Sequence, residues 1–260
     1  RSPLAPSLKP GIAGQELATR RCDLVTCRKD ELISEVMERM SSTERYDYLP
    51  VTDGDSDGAE RIVGLYSTNE AAAGGAGAEP IYEYSCPLSE EFLIGAKTTI
   101  LDYMIEGHAK PVRFVVSDYG IVGIVTLSDL QKPPARVALF ALITGFEITM
   151  SEVINSRFPC DGWMKCLSRR RRQKLKEEME KSRSAEHDRF VQSLLFTQFA
   201  DKRDILVGSN AFEPRFSKSR AQKELKKIQQ IRDQLAHANE YSTRDLCGVV
   251  RTLLDLRRCL

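Results

Sequence analysis

Two short stretches combine residue types and spacings that could do chemistry. The first is Gly123–Asp129, reading GIVTLSD, which sets a hydroxyl at Thr126 and a carboxylate at Asp129 directly behind an apolar run. A strand that ends and a helix that begins at Thr126 would leave backbone N–H groups facing an anion such as a phosphate. The same pair is also a helix-start capping pattern, which needs no ligand. The second stretch, IRDQLAHANEY, carries Arg232, Asp233 and His237, with Asn239 beyond. A guanidinium grips phosphate oxygens, and an imidazole changes charge near neutral pH. The plainer reading is an Arg–Asp pair and a histidine packed at a helix end.

The elements that must position Thr126 and Asp129 occur twice. DELISEVMERM is a helix with Leu32, Ile33, Val36, Met37 and Met40 on one face, and TTILDYMIEG repeats it with Ile100, Leu101, Met104 and Ile105. Asp30 is positioned to cap the first helix, and Thr98 or Thr99 the second. Each helix precedes a strand, YDYLPVTD and VRFVVSD, then a turn and a second strand, RIVGLYS and GIVGIVTLSD. Gly64 and Gly123 occupy matching places in the second strands. The first turn, GDSDGAE, is a long polar loop; the second is a tight turn at Tyr119 and Gly120. The unit is therefore strand, helix, strand, strand, helix. Two such units cover each other's sheets. Glu70 to Ala73 read as the end helix of the first unit, and the small residues that follow as a linker.

This layout resembles the CBS domain pair over roughly Glu16 to Leu130. The second repeat matches the family signature from Gly123 through Thr126 to Asp129. The first repeat departs from it, keeping Gly64 and Ser67 but placing Glu70 where the aspartate belongs. The resemblance implies an adenosine nucleotide (AMP, ADP or ATP) as regulatory ligand, held by Thr126, Asp129, Ser67 and Arg113. Asp129 would accept hydrogen bonds from two ribose hydroxyls, and the longer Glu70 would have to pull back to do the same. Arg113 and His108 sit near the start of the flanking strand, where each meets either a phosphate or solvent. It also implies a homodimer, since such pairs assemble into two-fold discs.

Past Gln131–Pro134 the pattern is helical to the end. ARVALFALITGFEITMSEVI forms one long helix, PCDGW breaks it, and SRRRRQKLKEEMEKSRS follows as a charged helix. DRFVQSLLFTQFADKRDILV is again amphipathic. SKSRAQKELKKIQQIRDQLAHANEY is the next helix, and STRDLCGVVRTLLDLRRCL opens on a capping box, Ser242 to Asp245. This is a bundle of four or five helices. With Arg232, Asp233 and His237 late in it, the bundle resembles the HEPN superfamily. That resemblance implies a metal-independent endoribonuclease, with Arg232, Asp233 and His237 catalytic across a two-fold dimer. A ribose 2′-hydroxyl would attack the adjacent phosphodiester, His237 would move the proton, and Arg232 would balance the developing charge. Glu152 and Arg157 fill, loosely, an acidic and basic pair of the first helix. Positions five apart on a helix point about 140° from each other, so Arg232 and His237 converge only where the helix loosens or across a dimer. Arg169–Arg172 read either as an RNA contact or as a solvated face balanced by the acidic residues that follow. Trp163 reads as a packing anchor.

The sequence thus predicts an α+β protein. Residues 1–15 form an N-terminal extension. Residues 16–130 form one module of two repeats, each a small sheet flanked by helices (16–73 and 81–130, linked by 74–80). Residues 131–260 form an all-α HEPN-like bundle. At 260 residues, 42% hydrophobic and 29% charged, with net charge +1, the chain has the composition of a globular protein, and charge argues neither for nor against RNA. The longest apolar stretch, Val137 to Phe146, is shorter than the ~20 residues that cross a bilayer, so no membrane is expected. No signal peptide is visible and seven unpaired cysteines suit a reducing compartment, so a cytoplasmic location is expected. Their spacing does not suggest a metal site, and no metal is expected. Two functions remain: a nucleotide-sensing module that controls a ribonuclease, or a non-catalytic nucleotide-binding regulatory dimer with a partner-binding helical scaffold.

Overall fold

The computed structural model describes residues 13–41, 46–54, 60–71, 77–106, 111–185, 193–243 and 245–260. Residues 1–12, most of the long hairpin loop, linker residues 72–76 and His108 lie outside them. The chain forms two compact units. One comprises Ala13–Thr99 and Ala109–Asp129. The other comprises Ile100–His108 and Leu130–Leu260.

In the sheet unit, the first repeat supplies β1 (Thr19–Arg20), β2 (Cys27–Arg28), α1 (Ile33–Ser41), β3 (Tyr48–Gly54), β4 (Glu60–Ser67) and α2 (Thr68–Ala71). The second supplies β5 (Cys86–Pro87) and β6 (Leu93–Gly95). After α3 (Ile100–Glu106) come β7 (Val112–Ser117) and β8 (Gly120–Thr126). Each repeat opens with two short strands, not the single one expected. The inner one pairs in parallel with its own hairpin, β2 with β3 and β6 with β7. The outer one crosses over: β1 pairs with β8 and β5 with β4. The sheets run β2-β3-β4-β5 and β1-β8-β7-β6.

The two matching glycines make this exchange possible. A Cβ on Gly123 would lie 2.5 Å from the Thr19 carbonyl oxygen, and one on Gly64 would lie 2.8 Å from that of Cys86. Both distances are shorter than any carbon–oxygen contact allows, so only glycine lets the crossing strand approach. A register shift accompanies each glycine, at Val51/Thr52 opposite Ile62–Gly64 and at Val115/Val116 opposite Ile121–Gly123.

The sheets bury two cores. Ile62 and Leu65 of one sheet pack with Val112, Phe114 and Ile124 of the other. On the far side of the first sheet, Ile33, Val36 and Met40 of α1 pack with Cys27, Leu49, Val51, Tyr66 and Ile81. Each large side chain so buried contributes roughly 1.5–3 kcal/mol. Burial pushes the Cys27 thiol up to about 12, which makes it a core residue and a poor nucleophile.

The helical unit holds α3, α4 (Pro133–Arg157), α5 (Arg169–Ala185), α6 (Phe199–Gly208), α7 (Lys218–Ala236) and α8 (Leu246–Cys259). Pro133 and Pro134 open α4, whose Ala138, Leu139, Leu142, Ile143, Phe146, Met150 and Ile154 are buried. By length and composition this helix could cross a bilayer, with a mean hydropathy of 1.7 over its most apolar window. Here it is the core helix of the bundle, packed on α3, α6, α7 and α8. Val137, Phe140 and Ile148 remain exposed on it. The break after α4 falls at PCDGW, where Cys160 and Asp161 both take left-handed φ values and Trp163 is fully buried.

Two boundaries differ from expectation. The helix expected over 188–207 is interrupted. Ser193–Phe196 form a 3-10 turn, and α6 starts afresh behind Gln198, whose side chain and that of Asp201 form a reciprocal capping box. The local cap outcompetes continuation. The Ser242–Asp245 box does not form: α8 begins at Leu246 after Asp245, which makes no side-chain cap bond.

Gly248 in α8 has open space where a Cβ would sit. Gly248→Ala is expected to raise stability by about 0.5–1 kcal/mol. Gly123→Ala is expected to lower it by roughly 1–3 kcal/mol, as overpacking does. Chemical denaturation of the two variants should shift the midpoint in opposite directions.

Candidate functional site

Thr126 is the last residue of β8. It pairs with Val112, and strand alternation puts it on the same face as Ile124, the face that meets the other sheet. Its N–H donates to Asp129 Oδ2 at 2.6 Å and its hydroxyl donates to the same oxygen at 2.9 Å. The Thr126 and Ser128 hydroxyl oxygens lie 2.7 Å apart. Asp129 is only 7% exposed. The structure thus brings Thr126 and Asp129 together as a cap. The α-helix expected to start at Thr126 is instead a single 3-10 turn, Ser128–Gln131. Lys132 is extended ahead of Pro133, and a residue before proline disfavours the helical conformation. The full helix begins only at α4, so the turn lacks the array of N–H groups a long helix would present.

The first repeat builds the same turn with other atoms. Ser67 ends β4 on the inter-sheet face, opposite Tyr48. The next N–H, that of Thr68, donates to the Asp47 carbonyl at 3.1 Å, just as Leu127 N–H donates to the Pro111 carbonyl at 3.1 Å. The Thr68 hydroxyl donates to the Tyr46 carbonyl, and Asn69 Nδ2 to Asp47 Oδ1. Asp47 and Asn69 were not singled out from the sequence. Their only signal is position, at the start of a hairpin and the end of its second strand.

Arg113 is not brought to the Thr126 turn. It pairs with Val125, so alternation puts it on the opposite face of the sheet from Thr126. Its Nη1 donates to the Glu91 carbonyl at 2.9 Å, and its Nε is buried without a hydrogen-bond partner. A groove of about 770 Å³ in this unit lies away from the turn, lined by Gln15, Ala18, Arg20, Cys22, Tyr119 and Ile121 among others.

In the helical unit, Arg232 sits in the last turns of α7 but points to α4. Its Nε lies 3.3 Å from Glu147 Oε2 and its Nη1 lies 3.1 Å from Asp233 Oδ1. Glu147 also binds Lys202 Nζ at 2.7 Å. A lysine only 8% exposed needs such a counter-ion. Glu147 therefore faces Arg232 from α4, while Glu152 and Arg157 on the same helix are exposed. His237 is exposed and caps the end of α7. Its N–H donates to the Asp233 carbonyl at 3.1 Å. Ala238 follows at φ 56°, and Asn239 N–H closes back on the Gln234 carbonyl at 2.8 Å, a Schellman-type end. The helix does stop where convergence of Arg232 and His237 required it to loosen, but no side-chain bond joins them among the described residues. Asp233 lines a cleft of about 590 Å³ whose walls mix polar residues such as Lys227, Gln230 and Asp245 with the apolar Ile231 and Val249.

The basic run divides. Arg169 and Arg170 are exposed, whereas Arg171 forks onto Asp201, Nε to Oδ1 at 2.8 Å and Nη2 to Oδ2 at 2.8 Å. The bond to Asp201 holds its guanidinium above the usual arginine value. Among the described residues no group of three or more metal-ligating side chains occurs.

Residues 15–71 match the family model of the CBS domain. No curated protein matches the chain. The solved structures to which the chain is similar include three CBS-containing ones. The CBS domain of the bacterial CNNM/CorC family Mg2+ transporter in complex with ATP is 17% identical, aligning 47% of this chain with 86% of its own at a TM-score of 0.41. A hemolysin-like protein containing a CBS domain from Oenococcus oeni PSU is 21% identical over 49% of this chain and 92% of its own, with a TM-score of 0.39. The CBS domains of a transcriptional regulator from Streptococcus pneumoniae are 17% identical over 46% and 96%, with a TM-score of 0.37. Two matched repeats that exchange their leading strands, and a family match over the first of them, lead to one statement of kinship: this chain carries a CBS domain over residues 15–71.

Proposed function

We propose that the sheet unit is a regulatory module that binds an adenosine nucleotide, AMP, ADP or ATP, and that the helical unit is a scaffold responding to it. The observation that carries this reading is the duplicated strand-end turn. In both repeats a hydroxyl, Ser67 or Thr126, ends the hairpin on the inter-sheet face, and the following N–H is pinned to the carbonyl ahead of the partner strand. In the second repeat the cap holds the Asp129 carboxylate in place, where it accepts ribose hydroxyls without further ordering. Arg113 lies on the opposite face of the sheet and contributes from outside this turn, its Nε buried without a hydrogen-bond partner. The CBS match supports the ligand class. The same reading makes the protein a cytoplasmic homodimer that uses no metal.

A second reading keeps the helical unit as a metal-independent endoribonuclease acting on RNA through Arg232, Asp233 and His237. It is favoured by one observation, the end of α7 at an exposed His237 beside a half-exposed Arg232. Against it, Glu147 and Asp233 already occupy the guanidinium. The scaffold is therefore the preferred role.

Calorimetry against AMP, ADP and ATP is expected to show binding by at least one, with Asp129→Ala weakening it by about tenfold or more, the loss of a charge-assisted acceptor. Absence of heat with all three, or full affinity in Asp129→Ala, contradicts the module. Incubation with single-stranded RNA separates the two roles of the helical unit. The scaffold predicts intact RNA with and without ATP, whereas cleavage that disappears in His237→Ala would establish the ribonuclease. Light scattering should give twice the chain mass.

A further inference from the structure

Tyr241 lies between α7 and α8 and is 4% exposed. Its hydroxyl donates to the Leu130 carbonyl. Its own carbonyl accepts the Gln131 side-chain amide at 2.5 Å. One residue thus grips the two positions that follow Asp129 in the chain. Burial pushes the Tyr241 phenol up to about 12, so it stays protonated and donates at neutral pH.

Arg136, in the first turn of α4, closes the arrangement. Its guanidinium carbon lies 5.5 Å from the centre of the Tyr241 ring. Its Nη1 donates to Gln131 Oε1 at 3.4 Å, and its Nη2 to the Asn239 carbonyl at 3.1 Å and the Gln234 carbonyl at 3.5 Å. The Gln234 carbonyl is also the acceptor for Asn239 N–H that ends α7 around Ala238. Leu130, Gln131, Arg136, Tyr241 and the last turn of α7 therefore form a closed set of bonds. Nothing in the cap of Thr126 or in the end of α7 needs Arg136 or Tyr241 for its own bonds. These two residues join otherwise separate features.

We propose that Tyr241 and Arg136 form a latch that couples the Thr126–Asp129 turn to the end of α7, where His237 is displayed. Asp129 and Leu130 are consecutive, so a ligand that draws the carboxylate away from Thr126 moves the residues Tyr241 grips. The Tyr241 backbone and the Arg136 guanidinium carry that movement to the Gln234–Asn239 turn. The coupling runs in both directions, as any linkage must. The nucleotide as the signal rests on the reading above; the latch itself does not.

Hydrogen exchange on the full chain tests it by a double-mutant cycle. Asp129→Ala is expected to speed exchange of the His237, Ala238 and Asn239 amides by about tenfold, within the usual range of site-to-site coupling. The amides of α6 should be unaffected. In a Tyr241→Phe background, which removes only the bond to Leu130, Asp129→Ala should add little further change at 237–239. Unchanged exchange there in Asp129→Ala, or effects of the two substitutions that simply add, overturns the latch. If Tyr241→Phe does not fold, Arg136→Lys replaces it, keeping the charge while losing the fork. In the parent, ATP should alter exchange at the same three amides. ATP that binds without doing so also overturns the latch. Failure of AMP, ADP and ATP alike to bind counts against the nucleotide reading alone, and the cycle still decides the latch.

Discussion

The fold depends on two places where one backbone lies against another with no room for a side chain. Gly123 lets β1 onto β8, and Gly64 lets β5 onto β4. Each crossing strand is only two residues long, too short to hold itself in place by cross-strand side chains. Its pairing rests on close approach and on the bonds beside it. Gly14 N–H donates to the Thr98 carbonyl at 2.6 Å, and Ile33 N–H to the Glu79 carbonyl at 3.0 Å. Each repeat thereby ties the start of the other's helix. A repeat that lends its first strand to its neighbour is incomplete alone.

Polar groups at the turns are satisfied within the protein itself. Asp129 takes the N–H and hydroxyl of Thr126, Asp201 takes the N–H of Gln198 and the fork of Arg171, and Asp47 holds Asn69. A carboxylate that also caps its own turn is already desolvated and oriented, so a ligand meets a group that has little left to lose in ordering. Such a group can also transmit. Taking a hydrogen bond from it disturbs the turn it caps, whereas a solvated carboxylate would respond by rotating its side chain.

Elements whose period repeats over several turns were legible in the sequence. The α1 stripe, the two hairpins, α4 and α7 all follow from spacing alone. The repeat was legible too, because Gly64 and Gly123 stand in register and Ser67 and Thr126 follow each by three positions. What failed to show were features set by distant partners or by very short segments. Strands of two or three residues carry no alternation, so the crossover left no pattern. Arg171 looked like one of four equivalent basic residues. Its role comes from Asp201, 30 positions away. Glu147 directly follows the apolar run Val137–Phe146, and Lys202, 55 positions away, and Arg232 turn it into the centre of a partly buried ion network. The break before α6 was visible only as Gln198 and Asp201 at capping spacing inside a strongly apolar stretch.

The two repeat helices show how much a sequence stripe says about packing. In α1 the buried residues, Ile33, Val36 and Met40, occupy one side, and Glu35, Glu38 and Arg39 occupy the rest. In α3, Ile100, Leu101, Tyr103 and Met104 are all buried, and at about 100° per residue they span an arc of roughly 160°, against roughly 60° for the buried residues of α1. A helix apolar around that much of its girth needs cover on more than one side. α8 and α4 supply cover to α3, and Arg251 fastens it by donating to the Ile105 carbonyl at 2.5 Å. Matched by sequence to α1, α3 is by packing a member of the bundle, and the difference was already written in the extra apolar residues Leu101 and Ile105, which stand where α1 has Ser34 and Glu38. The equivalents of Tyr103 and Val36 exchange size with those on the strands. Repeat one places Tyr66 on β4 where repeat two places Val125 on β8, and Val36 on α1 where repeat two places Tyr103 on α3. Large and small therefore trade places between strand and helix from one repeat to the other.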